Sequence, residues 1–250
     1  MSGHSHWATI KHKKGAVDAK RGKLWSKLSR AIIIAARNGG GDPNMNLKLR
    51  YAIDKARSVS MPKDNIERAI KRGTGDMEGV VFEEITYEGY GPGGVALLVE
   101  VLTDNRNRTA GEVRKIFERS GGKMGSAGNV AFLFERKGVF SLDAAAVDED
   151  ALMAIVLDAG ADDLKKVDTG FEVTCDPTQF SQVQAALEKN NLKPLVAEIP
   201  QVAKAPREVE TETGQKVLRL MEALDDHDDV QNVYSDLHIS DALVAEMNKE

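Results

Sequence analysis

The sequence predicts an α+β protein: an N-terminal helical domain followed by two α/β sandwich domains of ferredoxin-like type, the third inserted in the second. Three observations predict it. Residues 1–75 carry helical patterns separated by glycine and proline breaks, and beyond residue 80 short apolar runs alternate with helical segments. Residues 136–206 read strand, helix, strand, strand, helix, strand, the split-βαβ order. A last helix and strand then follow, suited to completing the sheet begun near residue 80. The domains expected are therefore 1–77, then 78–135 plus 207–240, with 136–206 inserted.

Each element has its own signal. A long helical segment runs from His12 to Asn38 and stops at Gly39-Gly40-Gly41-Asp42-Pro43, since proline cannot continue a helix. Leu49, Ile53 and Ala56 share one side of a second helix. Met61-Pro62 opens a third, with Ile66, Ala69 and Ile70 as its apolar face and Gly73 at its end. Phe82 to Tyr87 and Val95 to Leu102 read as strands joined by the turn Gly89-Tyr-Gly91-Pro-Gly93-Gly94. Thr109-Ala-Gly-Glu112 has capping-box spacing, which predicts a helix from there to about Arg119. Val130 to Phe134 reads as the next strand. In the inserted segment the strands are 139–142, 164–166, 171–175 and 194–198, the helices 148–158 and 177–189. Pro200–Pro206 is the expected return linker to a helix at 214–224 and a strand at 230–234.

Composition narrows the function. Over 250 residues, 42% are apolar and 29% charged, the balance of a globular chain. One cysteine, Cys175, excludes an intrachain disulfide and a Cys-rich metal site, and its apolar alternating run reads as core. No apolar run approaches 18 residues and the first residues lack an apolar signal core, so a cytoplasmic address without membrane contact is expected. The net charge of −5 conceals a sharp division: residues 1–75 hold 17 cations against 5 acids, and the remainder 17 cations against 34 acids. Such a chain has one end that seeks polyanions.

That end supplies the candidate site. On a helix advancing about 100° per residue, Lys20, Lys23, Lys27, Arg30 and Arg37 share an arc of roughly 100°. Lys11, Lys13, Lys14 and Arg21 add charge beside it. A solvated helix face would interleave acids; none lies between Lys20 and Arg37, so the arc reads as a phosphate-contacting ridge. Ile34 falls inside the arc and breaks the pattern. Trp7 either stacks on a base or pins the basic arm. Arg106 and Arg108, in Thr103-Asp-Asn-Arg-Asn-Arg108, either grip an RNA backbone or a ribosomal surface, or belong to an Asx-rich turn that satisfies itself. His4, His6 and His12 lack a cysteine or acid at ligand spacing, so no metal is expected. The two glycine-rich loops precede strands rather than helices and are not phosphate cradles. No catalytic triad or His–carboxylate constellation is visible, and no cofactor is expected.

Several strings carry a resemblance: Gly3-His-Ser5, Trp7, Ile10-Lys-His, Asp18-Ala-Lys-Arg-Gly-Lys23, Gly39-Gly-Gly-Asp-Pro43, Ala52-Ile-Asp-Lys-Ala56 and Ile66-Glu-Arg-Ala-Ile-Lys-Arg-Gly73. Tyr87-Glu-Gly-Tyr-Gly-Pro-Gly-Gly-Val95, Thr103-Asp-Asn-Arg-Asn-Arg-Thr109, Val130-Ala-Phe-Leu-Phe134 and Val230-Gln-Asn-Val-Tyr234 extend it. With these the chain resembles the YebC/PmpR family from end to end. The resemblance implies three domains, a cytoplasmic role in gene expression and no enzymatic activity. The family carries the label of DNA-binding transcriptional regulator. Its mitochondrial relatives are translational activators of cytochrome c oxidase, and bacterial relatives are tied to ribosomes stalled on proline-rich stretches. The expected partner is nucleic acid, either DNA or ribosomal RNA, with the ribosome or another protein as further partners. A protein-interaction scaffold is the remaining alternative. His6 and Asp236 depart from the family pattern, standing where lysine and asparagine are common.

Overall fold

A computed structural model describes residues 18–77, 81–167, 170–240 and 242–243, with backbone alone for 18–21 and 146. The first three helices are α1 (Asp18–Gly39), α2 (Leu47–Ser58) and α3 (Lys63–Thr74). They meet through Leu28, Ile32, Leu49, Ile53 and Ile66, the apolar positions that recur at helical spacing. Asn46 caps α2 by accepting from the Leu49 N–H at 3.1 Å, and its amide donates to the Ala35 carbonyl at 2.8 Å, joining the second helix to the first.

A four-stranded sheet follows. Strands β1 (Glu83–Tyr90) and β2 (Ala96–Thr103) form a hairpin with register Glu83↔Thr103 to Tyr90↔Ala96. Its turn places Gly93 and Gly94 at φ 69° and 71°, where a Cβ is strained; the glycines serve the hairpin. Helix α4 (Arg106–Arg119) leads to the short strand β3 (Lys123–Met124) beside β1. The sheet closes only from the far end of the chain, where α7 (Thr211–Asp225) delivers β10 (Val230–Ser235) to the free edge of β2. Phe117 and Val113 of α4 and Leu220, Met221 and Leu224 of α7 pack against Val99 and Val101.

Between these parts lies a second sheet: β5 (Gly138–Asp143), α5 (Glu149–Asp158), β6 (Ala161–Val167), β7 (Gly170–Cys175), α6 (Phe180–Lys189) and β8 (Val196–Glu198). Its spatial order, β6-β7-β5-β8 with antiparallel neighbours, is the ferredoxin-like arrangement. Phe140, Phe171, Val173, Phe180 and the buried Cys175 form its core. Two short strands, β4 (Phe134–Arg136) and β9 (Gln201–Ala203), pair at the entry to and exit from this unit.

Three local expectations are corrected. Helix α4 starts a turn before the capping-box spacing suggests: Asn105 is its cap, accepting from the Arg108 N–H at 3.1 Å. Thr109 instead turns its hydroxyl into a buried polar network. Residues 131–133 form a 3₁₀ turn rather than a strand. The buried Glu88 carboxylate accepts from the N–H groups of Gly128, Val130 and Ala131 at 2.6, 2.6 and 2.8 Å, removing donors a strand would need. The expected linker 200–206 contains β9.

Candidate nucleic-acid interface

Lys23, Lys27 and Arg30 of helix α1 do share one side, but that side faces the acidic end of α7. Lys23 donates to the Asp226 carbonyl and lies 3.5 Å from the Asp228 carboxylate. Lys27 donates to the Asp225 carbonyl and lies 3.5 Å from its carboxylate. Arg30 donates to the Asp228 carbonyl, stands 3.1 Å from Asp229 Oδ1 and covers the Phe82 ring at 5.6 Å. Helix α7 ends at Asp225, so the three cations meet carbonyls at a helix C-terminus and just beyond it, where orphan acceptors and the macrodipole favour positive charge. The expected free ridge, set apart from an acidic body, is therefore corrected: Lys27 is buried at 8% exposure, and Lys23 and Arg30 keep only part of their surface in water. Ile34, the odd residue of the arc, is buried too.

The other expected contacts divide. Arg37 donates to the Phe82 carbonyl. Lys11, Lys13, Lys14 and Trp7 lie outside the described residues, as do the side chains of Lys20 and Arg21. Arg106 is exposed on the first turn of α4. Arg108 is engaged, 2.9 Å from Asp104 and 2.6 Å from Asp229. Asp229 is the hub of this region: its Oδ2 also accepts from Thr109 at 2.7 Å and Thr103 at 3.1 Å. Burial raises the Asp229 pKa, but the hydrogen bonds from Thr109, Arg108 and Thr103 and the charge of Arg30 outweigh it, leaving the carboxyl below its ordinary value. The polar string 103–108 is thus mostly an anchor for the 225–229 turn.

A cleft of about 630 Å³ opens beside this contact, between α1, α4 and the turn after α7. It holds a pair that sequence reasoning missed. His227 Nδ1 accepts from the Asp229 N–H at 3.1 Å, which leaves Nε2 to donate to Glu112 at 2.8 Å. The two residues are 115 positions apart, so no local spacing announces them. Among the described residues no group of three or more His, Cys, Asp or Glu side chains is placed to hold a metal. None of the described helices is long and apolar enough to cross a membrane.

Residues 5–76 match the TACO1/YebC protein N-terminal domain, and residues 82–237 match the TACO1/YebC second and third domain. The chain belongs to the TACO1/YebC family. A relative from Trichlorobacter lovleyi, named probable transcriptional regulatory protein, is 55% identical over 240 residues, covering 96% of this chain and 97% of its own. One of the same name from Natranaerobius thermophilus is 51% identical over 247 residues, covering 98% and 99%. A crystal structure of a conserved hypothetical protein from Aquifex aeolicus superposes with a TM-score of 0.84 at 46% identity, over 93% of this chain and 96% of that one. The TACO1/YebC relatives are thus named as regulators, not as enzymes.

Proposed function

We propose that this chain is a non-enzymatic, nucleic-acid-binding regulator of gene expression whose helical module, residues 1–77, contacts phosphates. Under this reading the α/β units, 78–135 plus 207–240 and the inserted 136–206, position that module and engage partners. The observation that carries it is the excess of 12 positive charges in residues 1–75, which the three docked cations of α1 reduce without cancelling. Lys48, Arg68, Lys71 and Arg72 remain exposed on α2 and α3, and Lys11, Lys13 and Lys14 of the preceding arm, with Lys20 and Arg21 of the first turn of α1, add to them. The regulator names of the relatives support the same reading.

Phosphate contact is favoured over the reading of base edges. A recognition helix must enter a major groove about 12 Å wide. Helix α1 is packed on α2 and α3 and docked by Arg30 on Asp229, so its body does not protrude. This favours RNA or the ribosome over sequence-specific DNA as the physiological partner. Binding of labelled RNA and DNA duplexes across a salt series tests the proposal: log affinity should fall linearly with log salt. Absence of binding to both at about 50 mM salt removes it. Co-sedimentation with ribosomes, before and after nuclease, then separates RNA contact from protein contact.

A further inference from the structure

The cations of the helical module differ in one respect that the charge count hides. Arg50 donates to the Pro43 and Asn44 carbonyls, Lys55 meets Glu198, Arg57 meets Asp54 and Lys63 meets Glu67. Lys23, Lys27, Arg30 and Arg37 are engaged as described above. Apart from Lys48, the cations without a partner among the described residues stand together on α3: Arg68, Lys71 and Arg72.

Their setting is a built one. At Gly73 the two helices touch: a Cβ there would lie 2.5 Å from the Ile33 carbonyl oxygen and 2.7 Å from Ala36 Cβ. One turn back along both helices lies a cavity of about 80 Å³, floored by Ile33 and Ala69 and walled by Ser29, Asn65, Arg68 and Arg72. Asn65, Arg68 and Arg72 stand at i, i+3 and i+7 and so share one face of α3. None of these four polar side chains has a hydrogen-bond or ion-pair partner among the described residues. Asp64, a turn from Arg68, forms no ion pair with it, and Glu67 is taken by Lys63 at 3.4 Å. Two guanidinium groups a turn apart repel each other, and an anion between them relieves that repulsion.

The size and chemistry select the occupant. The cavity is far smaller than the roughly 300–1,000 Å³ of small-molecule sites, so it takes one compact group and not a nucleotide. Arginine forks with neutral hydroxyl and amide donors are the groups that fix a phosphate. Ser29 lies about 100° around α1 from Arg30, so this flank is distinct from the docked stripe. We propose that Ser29, Asn65, Arg68 and Arg72 form a seat for one backbone phosphate of a nucleic acid, with Lys71 beside it for the adjoining strand. The seat rests on the nucleic-acid reading above.

The test uses the full chain with labelled duplex RNA and duplex DNA of about 20 base pairs in a salt series. Arg68→Gln with Arg72→Gln should weaken binding at least tenfold to whichever duplex the parent binds, and should lower the salt slope by about 1–2. Ser29→Ala with Asn65→Ala should weaken binding severalfold at an unchanged slope, since it removes no charge. Both arginines are exposed, and an unaltered thermal melt confirms an intact fold. Parent binding that persists unchanged in the arginine variant overturns the seat and leaves the function standing. If the parent binds neither duplex, the function itself falls, and the seat with it. The arm that responds identifies RNA or DNA as the source of the phosphate.

Discussion

Asp229 is 3% exposed and ionised because Thr103, Thr109, Arg108 and Arg30 converge on it. Its carboxyl is held below the ordinary 3.8, so the folded state binds fewer protons than the unfolded state near that pH. The stability it contributes is complete above about pH 4 and is lost as pH falls through the lowered folded value. Urea denaturation at pH 7 and pH 3 should show this loss, and Asp229→Asn should reduce it. At pH 7 the same substitution should cost about 1–3 kcal/mol, since it removes the buried carboxylate charge that the partly exposed Arg30 and Arg108 share. An equal acid loss in the variant would move the effect to other carboxylates. Cys175 makes the opposite case. Burial pushes its thiol up to about 11, so at pH 7 it is neutral and out of reach. An aromatic disulfide reagent should therefore label it only as fast as the protein unfolds; rapid labelling of the native state would contradict the packing. The core role of Cys175 was legible from its alternating apolar run. The role of Asp229 was not, because its partners are brought to it by a strand pairing across more than 100 residues.

At the scale of elements, the crossing of α1 and α3 depends on the missing side chain at Gly73. Gly73→Ala would drive a methyl into the Ile33 carbonyl and the Ala36 side chain, both nearer than any relaxed contact. The helices must separate, at a cost of about 1–3 kcal/mol, and a lowered melting temperature would register it. Gly22→Ala, in open space on α1, should raise stability slightly through helix propensity and serves as the control. Helices and most strands were legible because periodicity and glycine–proline punctuation are local: the apolar positions Leu49, Ile53 and Ala56 are the buried face of α2. The misread places are those where a distant group overrides local preference. Glu88 takes the N–H donors of Gly128, Val130 and Ala131, and Asp229 takes the Thr109 hydroxyl that capping-box spacing assigns to the α4 start. The docked state of α1 had one sequence signal, Ile34. An apolar residue within a basic arc marks a side that packs, and it is 4% exposed. The acids that cover the arc could not be inferred, since nothing in residues 225–229 names their partner.

For the molecule as a whole, the helical module acts as a clamp. Its α1 holds the end of α7 through Lys23, Lys27 and Arg30. Its α2 reaches the inserted unit, where Tyr51 packs edge-on against Phe180 and bonds Ser181 at 2.9 Å, and Lys55 lies 3.4 Å from Glu198. The two contacts differ in kind. The second has an aromatic component that salt leaves intact, whereas the first is largely ionic. Partly exposed ion pairs are worth about 0–1 kcal/mol each and weaken further as the Debye length falls to about 3 Å at 1 M salt. A polyanion competing for Lys23 therefore faces a modest barrier, to which the exposed Asp228 carboxylate contributes, whereas the buried Lys27 stays docked. Asp228→Asn should tighten binding of the preferred duplex and steepen its salt slope by up to about 1, for the one cation, Lys23, that it releases. A substitution remote from the contact, Asp158→Asn on the exposed side of α5, changes net charge equally and should leave the slope alone. If both substitutions act alike, only overall charge matters. If neither acts, the α1 stripe serves docking alone, and the phosphate contacts lie on α3 and the arm.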